Sequence, residues 1–232
     1  MKTELQKMLN MLLEKYEISA SAVLNDTATA VTVNGREYPL LPQRNERRFV
    51  ELRKIVGNTV GNISHFKIMA LHPKTTALSD LILRELDTAE WISGQPITEV
   101  FAVKDDTVAT ISCRAKGGSV FTLELSCNLP ENAQIVDKHE IITDRGTACD
   151  RNVDSQTPLS SVYVYGKTPA EFTDVDFELF GLTPAEVATV RQAFSVAADP
   201  SVGNELENAA MHLSALLTAV QKSAAECVNV EL

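Results

Sequence analysis

No apolar run in this sequence approaches the ~18 residues needed to span a bilayer. The opening stretch, MKTELQKMLN, has one early lysine but neither an apolar h-region nor a small-residue cleavage site. A membrane span and a signal peptide are therefore not expected. Concentrated positive charge is missing too. The net charge is −10, and the densest basic group (Arg44, Arg47, Arg48, Arg53 and Lys54) is mixed with Glu46 and Glu51. It reads as a solvated helix face, and phosphate backbones are repelled, so nucleic acid is not an expected partner. The four cysteines, Cys113, Cys127, Cys149 and Cys227, lie far apart with no C-x-x-C among them. The four histidines, His65, His72, His139 and His212, form neither H-x-x-x-H nor H-E-x-x-H. No metal site is expected from such spacing, and reduced thiols suit a cytoplasmic protein.

What is present is an ordinary globular pattern. With 232 residues the chain can bury a sizeable core, as one large or two small domains. Leu5, Met8, Leu9, Leu12, Leu13 and Tyr16 repeat at the spacing of one apolar helix face. In TATAVTVNGREYPLL, alternation on both sides of Asn34-Gly35 predicts a type I′ hairpin. NERRFVELRKIV reads as a second helix. NISHFKIMAL reads as a strand, with Ile63, His65, Lys67 and Met69 turned away from Ser64, Phe66, Ile68 and Ala70. Residues 76 to about 93 read as an amphipathic helix stopped at Gly94 and Pro96.

The middle of the chain is rich in strands. ITEVFAVK precedes TVATISC and SVFTLELSC, which RAKGG joins. Ala109, Ile111, Cys113, Phe121, Leu123, Leu125 and Cys127 share one face, and Thr110, Ser112, Thr122, Glu124 and Ser126 the other. That division predicts an open antiparallel sheet with helices on one side. AQIVDKHEIIT, SSVYVYG and EFTDVDFELF are further strand candidates. TPAEVATVRQAF predicts a helix with Thr183 as N-cap and Pro184 at its first position. A last helix from about Glu205 to Glu226 places His212 in its partly buried core, and VNVEL closes the chain as a short strand. The fold class expected is α+β: a large, open, mostly antiparallel sheet with helices packed on one face, preceded by a short helix-hairpin segment. The division expected is 1–41 for that segment and 42–232 for the α+β domain.

From about Pro42 onward the order of these elements resembles the C-terminal domain of the Gfo/Idh/MocA family of NAD(P)-dependent sugar and polyol oxidoreductases. LSDLILRELDTAEWISGQPITEV is similar to that family's L-x-D-x-G-x-H-x-x-D-x-x-x-W-x-x-G-x-P helix. RNERRFVELRKIVGNTVGNISHFKI resembles its helix, G-x-I/V-G turn and first sheet strand. DTVATISCRAKGGSVFTLELSCNLP resembles its hairpin, HEIITDRGT its E-I-x-G-x-x-G strand, and HLSALLTAVQKSAAECVNVEL its closing helix.

The resemblance implies a substrate-facing Asp and His four residues apart. Asp80 matches the Asp, but Arg84 stands in place of the His and Ile82 in place of a glycine. Arginine stays protonated above ~12 and cannot serve as a base at neutral pH. The G-x-G-x-x-G of a Rossmann domain and the family's Glu-Lys-Pro motif are missing, and the residues before Pro42 are too few for that domain. The expectation is a non-catalytic relative of the domain, with no catalytic residues and no cofactor. It would act as a homodimer through the open sheet face or as a binder of a sugar-like molecule. Asp80, Arg84, His72 and Lys74 are the ligand-binding candidates. The alternative is the substrate half of a split oxidoreductase needing a separate Rossmann subunit, and a dehydrogenase partner is a related expectation. A plainer reading of Asp80 and Arg84 is a surface ion pair at i, i+4, worth ~0.3–0.5 kcal/mol. Asp144, Arg145, Asp150 and Arg151 read as surface pairs around a turn. Asp174, Asp176 and Glu178 read as a solvated strand face.

Overall fold

The computed structural model describes residues 2–58, 61–150, 161–165, 170–173, 178–179 and 181–232. The chain divides into two compact units, Met1–Phe49 with Val175–His212 and Val50–Asp174 with Leu213–Leu232. Each unit gathers stretches distant in sequence, whereas the division expected at residues 41/42 runs along the chain.

The first unit begins with α1 (Lys2–Lys15), whose Leu5, Leu9, Leu12 and Leu13 are buried. Three short strands follow, β1 (Ala22–Leu24), β2 (Ala30–Val33) and β3 (Arg36–Pro39), in a sheet of that order. Asn34 and Gly35 both have positive φ, 51° and 88°, as the type I′ turn between β2 and β3 requires. β1 is the element that sequence alternation missed; at three residues it is too short to show a period. After a 3₁₀ turn at Pro42–Asn45, the unit resumes with α4 (Pro184–Ala198), once the intervening elements of the second unit have passed. Thr183 caps α4 in a reciprocal capping box with Glu186. Leu24, Val31, Val33, Tyr38, Val190, Val196 and Leu206 complete this core.

The second unit carries the large sheet. α2 (Arg47–Asn58) leads into β4 (Ile63–Pro73), α3 (Leu78–Ser93), β5 (Ile97–Lys104), β6 (Val108–Ala115), β7 (Val120–Leu129), β8 (Val136–Thr143) and β9 (Gly146–Cys149). β10 (Ser161–Tyr165) and β11 (Ala170–Thr173) follow, and after α4 come α5 (Pro200–Glu226) and β12 (Val230–Glu231). The nine strands are ordered β11-β10-β9-β8-β4-β7-β6-β5-β12. Only β4 and β7 pair in parallel; the remaining neighbours are antiparallel, so the sheet is of the mostly antiparallel kind expected.

One face is apolar. Phe66, Ile68, Ile111, Phe121, Leu123 and Ile141 are essentially inaccessible, and the rings of Phe66 and Phe121 meet edge to face at 5.9 Å. Burying each such side chain contributes about 1.5–3 kcal/mol. α3 packs over β4, β6 and β7 on this side, with Leu81, Ile82, Leu86, Ala89 and Ile92 inward. It stops at Gly94, whose φ of 66° is left-handed and whose N–H bonds Glu90 O at 2.8 Å. Trp91 is half-buried beneath the guanidinium of Arg53, 4.5 Å from its ring centre.

The alternation expected in β4 holds from His65 onward. Ahead of it, a bulge between Ile63 and His65 lets Ile63 share the buried side while Ser64 is exposed. The open face presents Phe101, Ser112, Thr122, Lys67 and Glu140 in one cross-strand row and Val103, Thr110, Glu124, Met69 and Lys138 in the next. Small polar residues occupy its middle, as expected, but Phe101, Val103, Met69, Val108 and Val120 add exposed apolar surface around them. At the β5 edge, β12 pairs only Val100 and Glu99. The next edge donor, the Ala102 N–H, bonds Ser223 Oγ at 2.9 Å, so this part of the β5 edge is occupied by a side chain.

His212, expected as partly buried, is exposed. No helix among the described residues is long and apolar enough to cross a membrane. Arg151, Asp174 and Asp176 lie outside the described residues.

Candidate functional site

α3 has two ends with different surroundings, and the four ligand-binding candidates separate between them. At its N-terminal end, a groove of about 530 Å³ is lined by Lys74, Ser79, Lys104, Thr107, Asn128 and Gln221, with Leu78, Ile82 and Leu217 on its apolar side. Its size suits a small ligand. Lys74 is the one candidate that faces it. Asp80 sits in the exposed first turn, where Ser79 Oγ lies 3.4 Å from its carboxylate. His72 is half-buried within β4, which runs on to Pro73.

Arg84 goes elsewhere. Its side chain does not pair with Asp80. It reaches β8, where Nη2 donates to Asp137 Oδ2 at 2.8 Å, and it also pairs with Glu85. The surface-pair reading of Asp80 and Arg84 is therefore corrected: four residues apart on α3 they are neighbours, but two stronger carboxylate partners draw the guanidinium inward. Arg84 keeps 21% of its side-chain surface exposed and Glu85 none.

Beyond Arg84 lies a buried cluster of charged groups. His139 is completely buried. Its Nδ1 lies 2.7 Å from Asp150 Oδ2, and its Nε2 lies 2.8 Å from Glu85 Oε2 and 3.7 Å from Asp137 Oδ1. The backbone N–H of His139 also donates to Asp150. Burial pulls the His139 pKa down, but the charges of Asp150, Glu85 and Asp137 outweigh it and push the value up to about 10. At neutral pH the ring is an imidazolium, a donor at both nitrogens, placed between carboxylates at each end. Asp150 is thus a buried partner and not part of a surface pair.

Sequence reasoning missed Glu85, Asp137, His139 and Asp150 as a group. They come from one helix, one strand and the residue after β9, and no local spacing connects them. The available signal was narrow: Asp137 and His139 stand two apart in β8, on the face that continues into Ile141. That a polar pair occupied an apolar face called for partners from the helix above.

No protein-family model and no curated protein matches the sequence of this chain. Solved structures do match in fold. A levoglucosan dehydrogenase in complex with NADH and levoglucosan is similar at a TM-score of 0.66 and 14% identity, over 84% of this chain and 65% of that one. An inositol dehydrogenase homologue from Azotobacter vinelandii, complexed with NADH and myo-inositol, gives 0.65 and 11% over 84% and 64%. An oxidoreductase domain protein from Kribbella flavida gives 0.64 and 14% over 82% and 64%. This chain therefore spans less than two thirds of the structures it resembles. The neighbours are Gfo/Idh/MocA-type oxidoreductases. The fold is that of their C-terminal α+β domain, matched without the Rossmann part.

A nicotinamide nucleotide is the cofactor this fold implies, and the connection ahead of α3 does not suit its pyrophosphate. The connection between β4 and α3, Lys74–Ala77, contains no glycine, so its backbone offers no Gly-rich cradle for a pyrophosphate. Arg84, which the sequence resemblance sets in place of a histidine, is a cation tied to Glu85 and Asp137.

Proposed function

We propose that this chain is a non-catalytic relative of the oxidoreductase C-terminal domain, acting as an oligomerising and small-molecule-binding protein. The observation that carries the proposal is the engagement of Arg84. A group that cannot accept a proton, held by two carboxylates, replaces the residue on which substrate deprotonation would depend. The ligand seat in this reading is the groove at the start of α3, where Lys74 and Lys104 supply positive charge beside the carboxylate of Asp106, and Thr107, Asn128 and Gln221 supply hydrogen-bonding groups suited to a polyhydroxylated molecule. The open face of the large sheet is the dimer surface. Its small central residues permit close approach, and its apolar margin gains from being covered.

Thermal shift and calorimetry with sugars, polyols and sugar acids, levoglucosan and myo-inositol among them, test this reading against NAD(H) and NADP(H). A ligand at 100 times its Kd adds ~2.7 kcal/mol. The expected result is a sugar or sugar-acid hit that disappears in Lys74→Ala, with no response to nucleotides. Nucleotide binding would overturn the reading and support a substrate half that works with a separate nucleotide-binding subunit.

A further inference from the structure

The geometry points to a site for one divalent cation, of the zinc or manganese class, formed by His139 Nε2, Glu85 Oε2 and Asp137 Oδ1 between α3 and β8. It is independent of whether the groove holds a ligand. The donor atoms of Glu85, Asp137 and His139 all lie within 4.8 Å of one another. Zinc reaches imidazole nitrogen and carboxylate oxygen at about 2.0–2.2 Å, so a single ion placed among the three can bond them all after shifts of a few tenths of an ångström.

The groups around these donors orient them. Asp150 Oδ2, 2.7 Å from His139 Nδ1, turns the other ring nitrogen toward the two carboxylates. A carboxylate behind the imidazole is how metal-bound histidines are held and made more basic. Each ligand carboxylate is also divided between two tasks. Arg84 holds Asp137 Oδ2 at 2.8 Å and Glu85 Oε1 and reaches Asp137 Oδ1 more loosely at 3.4 Å, while Glu85 Oε2 and Asp137 Oδ1 face Nε2. The guanidinium therefore fixes both carboxylates, its short contacts falling on Asp137 Oδ2 and Glu85 Oε1 and its long one on Asp137 Oδ1. All three ligands stand on regular elements, Glu85 on a helix and Asp137 and His139 two apart on a strand, which favours a fixed geometry. One imidazole and two carboxylates suit zinc or manganese better than a thiolate-seeking ion. On loading, the proton on Nε2 leaves to solvent and the ion takes its place.

The test uses the full chain, stripped with EDTA and desalted, then titrated with zinc or manganese chloride by calorimetry, with bound metal counted by elemental analysis. We expect one ion per chain and a higher Tm. Affinity falls by at least tenfold in His139→Gln and in Asp137→Asn, and about 10–100-fold in Asp150→Asn, which touches no metal but releases the ring. Cys227→Ser, removing the exposed thiol, leaves binding unchanged. Asp137 is only partly buried, so its variant decides the matter if His139→Gln fails to fold. Failure to retain any ion, or equal binding by wild type and Asp137→Asn, overturns the site.

Discussion

Replacing Arg84 by methionine, in EDTA-treated protein, tests the buried charge cluster directly. Methionine keeps much of the side chain's length and removes its charge. Glu85, with no exposed side-chain surface, and Asp137, with 13%, then lose a cation that is itself only 21% exposed. Breaking a buried ion pair by deleting one partner costs about 3–5 kcal/mol, because the other charge is left behind in the interior. Glu85 still has the His139 ring at 2.8 Å, which places the expected loss at the lower end, about 3 kcal/mol. For a chain of this size that corresponds to a fall in Tm of about 6–12 °C. The assay is urea unfolding followed by the fluorescence of Trp91, the single tryptophan, which lies in the same unit as the cluster. Asp80→Asn serves as the control and should change stability by less than about 0.5 kcal/mol. In the double variant Arg84→Met with Glu85→Met, part of the loss should return, since no charge at position 85 is then stranded. A loss below about 1 kcal/mol for Arg84→Met, matching Asp80→Asn, would refute the reasoning and return Arg84 to the surface pairs.

Three further outcomes follow from other parts of the molecule. Glu178 accepts from Lys15 and also bonds Tyr16 and Arg191; these contacts hold its pKa down to about 2 against the opposing effect of burial. A depressed carboxylate stabilises fully above its ordinary value of 4.5 and loses that contribution as the pH falls toward 2. Circular dichroism across this range should therefore show a smaller acid-dependent loss of stability in Glu178→Gln than in wild type, and equal slopes would exclude the contact. At Gly203 a Cβ would run into the buried ring of Tyr38, so Gly203→Ala should lower stability by about 1–3 kcal/mol in a urea titration, despite alanine's better helix propensity. By light scattering the wild type should have the mass of a dimer and Ser112→Arg, in the middle of the open sheet face, that of a monomer; equal masses would show that this face is not the interface.

Much of the fold was legible because its elements carry strong local signals. Thr183-Pro184, Asn34-Gly35 and the alternation through β6 and β7 each specify a conformation within a few residues, and each stands as expected. The short β1, the bulge at the start of β4 and the parallel pairing of β4 with β7 were not legible. They depend on long-range pairing, and the parallel pair is joined through α3, β5 and β6. Glu178 shows the same limit in another way. It was expected on a solvated strand face, but it lies in a bend beyond β11, where its partners arrive from α1 and α4. The candidate site was half legible. Resemblance singled out the helix with Asp80 and Arg84, and Lys74 does line a groove. The destination of Arg84 was hidden, because the i, i+4 rule sees only the helix's own surface while Asp137 comes from a strand 53 residues away. His139 was set aside for lacking a neighbouring ligand in sequence, yet its partners converge from three elements.

The most direct test of the central claim is a search for hydride transfer. Purified protein would be incubated with NAD⁺ or NADP⁺ and a panel of polyols and sugars, and reduced nucleotide would be followed by absorbance, alongside calorimetric titration of each nucleotide. The account predicts no reduction, no nucleotide binding, and no gain of activity in Arg84→His. Reduction of either nucleotide by the wild-type chain would contradict it.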